Sequence, residues 1–483
     1  MILRAFSLLF LYTAILPGCT ALKIGKPSRV AEEPINLPTL WAQSSLGTEG
    51  KIATGWLETF RDKELDKLVD EAMQHNNDLR ATAARLRSAR EGTITGRSNR
   101  LPEVSASGSG SRSGSRFRRE DDGDLSDWEQ NSIHGLSLNA SWEIDLWGRL
   151  RNLEEASIND YLSTQADFRG ARLSLAANTA RAWSNLITAR KLVESAELTQ
   201  ETFERNFRIT ERNLMAGDAT ALNVIFGRNE VASSERNLRD RRLSKDEAAR
   251  SLEVLLGRYP NASIEGSPEL PYLPDKVPAG LPSELLMRRP DLVSAAARLR
   301  SSAARADASR KALLPSIRLN GGGSTSSDDL LKVIADPRSI AWNVAASLAQ
   351  TVYRGGAPTA QARQALAQNE ASIESFASTA LRAFREVESA LARDRNLAEQ
   401  EKTTKLEMET ANKAQNLADR GFQEQLVSPL ELLEARRRVI SARNSMISLA
   451  NQRLQNRIDL HLALGGDFST PTPSNDETRN PRS

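Results

Sequence analysis

The side chains best suited to catalysis or metal binding are few in this chain and far apart. It has three histidines, His75, His134 and His461, and a single cysteine, Cys19. The histidines do not stand at the spacing of a metal-binding motif, and no Ser/His/Asp arrangement or phosphate-binding glycine loop is present. We therefore expect the histidines to be surface or capping residues. We also predict that the chain is not an enzyme and holds no metal or other bound cofactor.

Cys19 is suited to a different chemistry, covalent lipidation. It follows a positive residue, Arg4, and an apolar run through residues 8–12, a pattern typical of a secretory signal. The lone cysteine after Gly18 resembles the lipobox of bacterial lipoproteins, whose cysteine carries diacylglycerol and an N-acyl chain. Two or three acyl chains anchor a protein firmly where one does not. The alternative is an ordinary signal peptide with an incidental cysteine.

Composition limits the classes of protein to consider. The chain has 483 residues, 5% aromatic residues and a formal net charge of +3. This small charge gives no reason to expect a nucleic-acid partner. A mean hydropathy of −0.46 argues against one large apolar core, and the abundance of Ala, Arg, Leu, Ser and Glu favours long helices. After Cys19 no apolar run is long enough for a transmembrane helix.

The chain repeats itself once. Ala84–Ser88 recurs as Ala297–Ser301, an offset of 213 residues, and Leu256-Gly257 recurs as Leu464-Gly465, an offset of 208. A repeat unit of this length is not a solenoid module. It predicts two similar halves that build a quasi-symmetric structure.

Each half contains both strand and helix patterns. Residues 136–146 alternate between apolar and polar side chains, as do residues 342–348, and this period of two predicts amphipathic strands. The Ser/Gly run at 104–115 would otherwise suggest a flexible linker, but its repeat partner has a strand pattern, so we predict a strand there too. Each copy then forms one hairpin with a polar loop, at about 103–147 and about 316–352. Helices are expected at about 78–99, 151–214 and 220–256 in the first copy, and at about 291–313, 358–421 and 428–464 in the second.

These elements predict a domain order. A lipoprotein signal peptide (1–18) and a lipid-anchored extended arm (19–55) precede the first repeat (56–280), the second repeat (281–466) and a disordered tail (467–483). Asp78 and Asp291 are expected to cap the helices that precede the hairpins.

Four strands are too few to close a membrane barrel, and an open sheet in a bilayer leaves backbone groups unsatisfied. Three chains would supply twelve strands, which can close. The predicted fold class is therefore mixed α and membrane β: a trimeric twelve-stranded transmembrane β-barrel, continued by a long periplasmic α-helical barrel. An ordinary coiled coil remains the alternative for the helices.

The chain resembles the TolC-type outer-membrane efflux channels, specifically the lipoprotein branch typified by OprM and NodT. The resemblance covers about residues 40–466. Its most specific stretches are Trp56-Leu57-x-x-Phe60, Ser141-Trp142-Glu143-Ile144-Asp145-Leu146-Trp147-Gly148-Arg149, Arg288-Arg289-Pro290-Asp291-Leu292 and Ser428-x-Leu430-Glu431-Leu432-Leu433.

The resemblance implies a homotrimeric exit duct in the outer membrane, anchored by lipid and extending into the periplasm. It implies two partners, a periplasmic adaptor (membrane fusion) protein and an inner-membrane pump of the RND type. The cargo would be small molecules such as drugs or metal ions. Two alternatives remain: a duct for type I-like protein or polysaccharide secretion, and a non-conducting, lipid-anchored periplasmic coiled-coil scaffold.

In the family the periplasmic end closes near the tips of the helix pairs. The residues there that could form charged rings in a trimer, and so act as an aperture, are Asp218, Asp419 and Glu424, with Arg212 and Arg420 as basic partners. The tips that would dock the adaptor carry Gly217 and Gln425. The family often has Gly where Gln425 stands, so a less sharply turned second tip or a different adaptor contact is expected.

Overall fold

The computed structural model describes residues 24–28, 41–42, 55–116, 127–273, 285–335, 340–424 and 426–467. These residues form two compact units. One contains the described residues of 1–33, 86–164 and 295–376, and the other contains those of 34–85, 165–294 and 377–483. The predicted signal peptide, Cys19, Gln425 and the predicted tail from residue 468 onward lie outside the described residues.

The order of elements repeats. The first copy comprises a 3-10 turn (Trp56–Phe60), α1 (Lys63–His75), α2 (Asn77–Ser98), β1 (Glu103–Ser115), β2 (Glu129–Ile144), α3 (Arg149–Ala216) and α4 (Ala221–Leu255). The second comprises α5 (Leu285–Arg288), α6 (Pro290–Lys311), β3 (Ser316–Ser327), α7 (Leu330–Ala335), β4 (Ile340–Ala349), α8 (Ala357–Gln423) and α9 (Pro429–Ala463).

Equivalent helices agree closely in length. Helices α2 and α6 have 22 residues each, α3 and α8 have 68 and 67, and α4 and α9 have 35 each. The internal duplication predicted from short sequence matches is therefore confirmed at the level of whole elements. The boundaries of the predicted domains stay a prediction.

The four strands form one antiparallel sheet in the order β1-β2-β3-β4. The Ser/Gly run at 104–115 is a strand, paired with β2 from Glu103 opposite Ser141 to Ser115 opposite Glu129. Strand β2 also pairs with β3, which joins the two copies, and β3 pairs with β4. The prediction of four strands, one hairpin per copy, is confirmed.

The register gives the sheet two chemically different faces. Residues directly opposite one another lie on the same face, and Leu138 faces Ala106 and Gly323, while Asn139 faces Ser105 and Gly322. One face is apolar across all four strands: Val104, Ala106, Leu136, Leu138, Trp142, Leu319, Trp342, Val344 and Leu348. The other face is polar and carries a ladder of serines on β1: Ser105, Ser107, Ser109, Ser111 and Ser113.

One predicted loop contains a helix. The segment between β3 and β4 was expected to be a polar loop, but α7 forms there and its Val333 is buried. The sequence Leu330-Leu331-Lys332-Val333-Ile334 has enough apolar side chains to pack one turn against strands β2 and β3.

Of the two predicted caps, Asp78 is wrong and Asp291 is correct only in part. Helix α2 begins one residue earlier than expected, and the side-chain oxygen of Asn76, not that of Asp78, accepts the N–H of Leu79 at 2.9 Å. Helix α6 begins at Pro290, which has no N–H to satisfy. Asp291 therefore lies inside the first turn of the helix, where its carboxylate accepts the N–H of Leu292 at 3.0 Å and also pairs with Arg289.

Arg289 is a buried junction within the second unit. Its guanidinium donates to both carboxylate oxygens of Asp291 (3.0 and 2.8 Å), to Glu386 (2.8 Å) and to the carbonyl of Ala463 (3.0 Å). Burial alone would lower the pKa of Arg289, but the bonds to Asp291 and Glu386 raise it above its usual range. Burial likewise opposes the charge of Asp291, and the bond from Arg289 outweighs it and lowers the pKa of Asp291.

The second unit holds the larger apolar cores. Trp56 and Phe60 of the 3-10 turn pack with α1, α3 and α4, in a cluster that includes Leu186 and Leu252. A second cluster joins Trp41 and Leu285 to α8 and α9. Among the described helices, none has the combination of length and apolarity that crossing a membrane requires.

Candidate functional site

The first helix tip is closed by a glycine. Helix α3 ends at Ala216, and Gly217 adopts φ +84°, a conformation that side chains disfavour. The N–H of Gly217 donates to the carbonyl of Leu214 at 3.1 Å, and that of Asp218 donates to Asn213 at 2.8 Å. This pair of bonds is a Schellman motif. The chain then turns directly into α4, whose first turn is capped by the side chain of Thr220.

The second tip is closed differently. The carbonyl of Gly421 accepts the N–H groups of Leu426 and Val427, at 2.7 and 3.2 Å. Helix α9 then starts with a capping box in which Ser428 and Glu431 satisfy each other's backbone N–H groups. The N–H of Ser428 donates to the Glu431 carboxylate and lowers its pKa. The predicted docking residue Gln425 lies outside the described residues.

Asp419 has a partner that was not among the predicted basic residues. Its carboxylate accepts from Arg436 at 2.6 Å and from the side-chain amide of Gln415 at 3.4 Å. The ion pair is partly buried, with side-chain exposures of 18% for Arg436 and 34% for Asp419. This ion pair joins the last turns of α8 to α9.

The remaining aperture candidates are exposed. Asp218, Glu424, Arg212 and Arg420 all lie at the tips with exposed side chains. Within the described part of the chain, none of these four forms an ion pair. Among the described residues of one chain, only one of the three predicted acids, Asp419, pairs with a base. That base is Arg436.

Arg436 could have been found from the hairpin geometry. In an antiparallel helix pair, contacting residues lie at similar distances on either side of the turn. Asp419 and Arg436 satisfy this condition about the turn at residues 424–428. The predicted partner Arg420 directly follows Asp419 on the same helix, where adjacent side chains point in different directions.

The first copy has an acid and an arginine at the same two positions, but these residues make a different contact. Glu211 and Arg228 lie 208 residues before Asp419 and Arg436. The Arg228 guanidinium instead lies over the ring of Phe207, 5.9 Å from its centroid. Phe207 is the counterpart of Gln415. Replacing an amide by an aromatic ring thus accompanies a change from an ion pair to a cation–π contact.

A further ion pair joins the two copies near the tips. Arg437 of α9 pairs with Glu230 of α4, whose carboxylate is largely buried. No sequence pattern predicts this pair, because its residues do not share an equivalent repeat position. It ties the returning helices of the two hairpins to each other.

Apolar side chains are exposed around both tips in the single chain. Leu222 and its repeat counterpart Leu430 are 57% and 66% exposed. Met215 and Leu426, at the turns themselves, are 88% and 78% exposed. Exposed apolar residues concentrated at one end of a helix pair are typical of a protein-binding surface.

The histidines do not form a chemical site. His461 was predicted to be a surface or capping residue, but it is 3% exposed and stacks on Trp56 with ring centroids 5.4 Å apart. Burial, together with the nearby charge of Arg457, lowers the pKa of His461 to about 3. His75 lies at the end of α1, as expected, within 3.1 Å of the Glu71 carbonyl. The described residues contain no cluster of His, Cys, Asp or Glu able to hold a metal ion.

Cys19 lies outside the described residues, but the nearby arm is placed. Ile24 is buried against Leu313 and Ala362. The N–H of Ser28 donates to the side chain of Asn369 at 3.0 Å. Leu313 lies shortly before the first residue of β3, Ser316. The arm therefore contacts the first unit where its helices meet the sheet.

Comparison with known proteins gives consistent matches. The family profile described as "Outer membrane efflux protein" matches residues 68–258 and 281–466. The cation efflux system protein CusC of Escherichia coli O6:H1 is 30% identical over 94% of this chain and 98% of its own length. Outer membrane protein OprJ of Pseudomonas aeruginosa is 31% identical over 86% of both chains. The open-state MtrE channel of Neisseria gonorrhoeae has a TM-score of 0.78 at 26% identity, over 93% of this chain and 98% of its own.

Proposed function

The chain belongs to the outer membrane efflux protein family, and from this premise we propose that it conducts small toxic molecules such as drugs or metal ions out of the cell. It is the outer-membrane exit duct of a tripartite efflux system, a trimer that works with a periplasmic adaptor and an inner-membrane pump. It is not an enzyme. The scaffold alternative is set aside by the family.

The observation that carries this function is the two-faced sheet. Its apolar face, with Leu138 and Val344, suits contact with lipid, and its polar face, with the serine ladder and Asn139, suits a wet lumen. The edge strands β1 and β4 each pair on one side only among the described residues. Pairing these edges between three copies would satisfy their free backbone groups.

The proposed cargo follows from the relatives and from the polar lining. CusC is named for cation efflux, and other relatives for toluene or solvent efflux. The polar sheet face bears hydroxyl and amide groups rather than a dedicated binding pocket, which suits a duct that passes different solutes. In such a system, selection of the cargo belongs to the pump.

We assign the aperture to the helix tips. In this assignment the Asp419–Arg436 ion pair holds the aperture closed. The pair joins α8 to α9 at the end of the hairpin, so breaking it frees the tip to move. The exposed acids Asp218 and Glu424 would stand as rings in a trimer and favour cations. In this proposal Arg212 and Arg420, whose side chains are exposed in the single chain, pair with such acids of a neighbouring copy.

The same tips are the proposed adaptor-docking surface. The exposed side chains of Met215, Leu222, Leu426 and Leu430 offer apolar area to a partner helix. Gly217 leaves the first turn free of a side chain, and Gln425 replaces the glycine usual in the family at the second. The two tips thus present different surfaces to the adaptor.

We propose that Cys19 carries the lipid anchor. Ile24 is fixed beside Leu313, close to the start of β3. Five residues span at most about 18 Å, so the acyl chains would lie near the end of the sheet where the helices begin. Loss of palmitate labelling in Cys19→Ser would support this assignment, and retained labelling would refute it.

The function is tested by single-channel recording of the purified trimer in a planar bilayer. A duct gives discrete conductance steps that carry both small cations and small anions. In cells that lack their own efflux duct, the chain should restore tolerance to metal salts or organic toxicants when its adaptor and pump are present. A trimer that never conducts would overturn the proposal.

A further inference from the structure

One charged side chain stands on the apolar face of the sheet. Arg112 of β1 lies opposite Ser132 of β2, which is on the same face of its strand as Leu138. Among the described strand residues, Arg112 is the only Asp, Glu, Lys or Arg on this face. A charge on a lipid-facing surface is costly except near the ends of the apolar band, so the position of Arg112 along the strand matters.

Arg112 lies beyond the outer end of the apolar band. On β2 the apolar side chains of this face run from Ile144 to Leu136, eight residue steps or about 27 Å along the strand. This length is close to the apolar band of outer-membrane barrels, about 25 Å. The next residue of the face is polar, His134, and Ser132 follows it. The long helix α3 follows the Ile144 end and reaches into the periplasm, so Arg112 lies at the level of the outer-leaflet head groups.

Two glycines make room for rings on either side of this arginine. Gly110 and Gly114 precede and follow Arg112 on the same face. A side-chain carbon added to Gly110 would lie 3.2 Å from Nδ1 of His134, and one added to Gly114 would lie 3.2 Å from a ring carbon of Trp128. The two rings therefore rest over the glycines. The guanidinium of Arg112 stands between them, in a site bounded on both sides.

The charge of this site is positive. Among the described residues Arg112 forms no ion pair, and it donates to the side-chain oxygen of Gln130. The Arg116 guanidinium lies 5.6 Å from the centroid of the Trp128 ring. Glu129, a neighbouring acid of β2, is on the opposite face of the sheet. A guanidinium presents its N–H groups in a planar fork that matches a phosphate, so the site favours a phosphate group.

An apolar groove adjoins this site on the same face. It has a volume of about 490 Å³, and its lining includes Gly108, Leu136, Gly323 and Ile340. Gly108 is the residue of this face next to Gly110, which places the groove directly below the arginine site. The two glycines leave space between the larger side chains. A groove of this kind suits an acyl chain, and its position beside a phosphate site indicates a lipid that carries both groups.

We propose that this site binds a phosphorylated lipid of the outer leaflet, an inference that rests on the proposed lipid-facing orientation of the apolar face. The lipid phosphate accepts N–H groups of Arg112, and its head group packs between the rings of His134 and Trp128. One acyl chain lies in the groove beside Leu136. The phosphate neutralises the one charge on the lipid-facing strands, so each chain of the trimer holds one such lipid.

The test is native mass spectrometry of the detergent-purified trimer titrated with lipid A, which carries two phosphates, and with its dephosphorylated form. We expect lipid A to bind about tenfold more tightly. Arg112→Gln should weaken lipid A binding about tenfold, and Arg112→Lys about threefold, because an ammonium lacks the planar fork. The matched control is Arg318→Gln, which removes an arginine of β3 from the opposite face and should leave the affinity unchanged.

Gly323→Leu separates the groove from the phosphate contact. It should weaken lipid A binding about fivefold while the preference for the phosphorylated form persists. Equal affinity of Arg112→Gln and the unchanged protein would overturn the proposal, as would equal affinity for the two forms of the lipid. If a variant failed to form trimers, the preference of the unchanged protein would still decide.

Single-channel recording of the same trimers distinguishes this proposal from the duct itself. Trimers that conduct but show no preference for the phosphorylated lipid would overturn the lipid site and leave the duct standing. Trimers that show the preference but never conduct would support the lipid site and overturn the duct.

Discussion

Asp419 of α8 and Arg436 of α9 are joined by a hydrogen bond of 2.6 Å across the second helix tip. Their counterparts in the first tip, Glu211 and Arg228, have diverged in contact, since Arg228 lies over Phe207. The two tips thus share a fold but differ in the side-chain contact that stabilises them, an ion pair in one and a cation–π contact in the other. A change in charge at Asp419 should act on one tip of each chain and leave the other unchanged.

Removing this charge should open the channel. Asp419→Asn preserves shape but abolishes the ion pair, whose partly buried groups contribute about 1 kcal/mol. A difference of that size shifts the ratio of open to closed tips about fivefold. Single-channel recording should show a larger mean conductance, with Arg436→Gln giving the same change and the double variant adding little.

The matched control for this experiment is Glu434→Gln. It breaks the exposed Glu434–Arg438 pair of the same helix, and it should leave the conductance as it was. If Asp419→Asn also had no effect, the pair would be a structural contact and the aperture would have to lie elsewhere.

Two neighbouring residues of β2 test the faces of the sheet. Leu138→Arg places a charge on the proposed lipid face and should cost about 2–4 kcal/mol if the residue lies near the bilayer midplane, so that few trimers reach the outer membrane. Asn139→Arg places the same charge on the proposed lumen face. Its trimers should assemble normally and shift their ion selectivity towards anions. Counting trimers in membrane fractions and measuring reversal potentials checks both expectations, and the reverse pattern would invert the faces.

The Arg289 junction should contribute to the stability of the trimer. Arg289→Met leaves Asp291 and Glu386 without their cation, but these carboxylates are 46% and 41% exposed, so water screens them and the expected loss is about 1–3 kcal/mol. Arg289→Lys should rescue little, because one ammonium cannot replace the two-pronged contact with Asp291. The heat stability of purified trimers measures the loss. The adjacent Arg288→Met, which alters an exposed side chain, should change it far less.

His461 should make stability depend on pH. Its pKa is lowered from 6.5 to about 3 in the folded chain, so the unfolded chain binds the extra proton first as pH falls. Stability from this residue is full above about pH 6.5 and declines down to about pH 3, with a limiting slope of about 1.4 kcal/mol per pH unit. Thermal unfolding of His461→Phe between pH 7 and 4 should show a shallower decline. An identical decline in both proteins would mean that other groups cause it.

Gly217 should matter through its backbone alone. A side-chain carbon added there would meet no atom within 4 Å, but φ is +84°. Gly217→Ala should therefore cost about 1–2 kcal/mol and speed proteolysis of the tip, while Gly217→Asn should cost less because asparagine tolerates this conformation. Gly92→Ala in α2, which also meets no neighbour, should not destabilise the chain. Equal protease resistance of all three variants would contradict this explanation.

The periodic features of this protein could be predicted from the order of its residues. Alternation in 136–146 fixed the apolar and polar faces of β2, and the repeat identified β1 despite its Ser/Gly composition. The helices of the two copies could be predicted for a similar reason. The hydrophobic period of a segment and the residue offset between the repeats can both be read along the chain. The family resemblance rested on short, ordered stretches of residues, such as those around Trp147 and Pro290.

The contacts between distant side chains could not be predicted in this way, because they depend on the three-dimensional fold. His461 was expected at the surface, yet it lies under Trp56, because a residue near one end of the chain packs on a turn about 400 residues earlier. Asp291 was expected to cap a helix, and besides accepting the N–H of Leu292 it pairs with the buried Arg289. Asp419 pairs with Arg436 because helices α8 and α9 pack against each other. Burial and ion pairing depend on which elements become neighbours in space, and that information is spread over the whole fold.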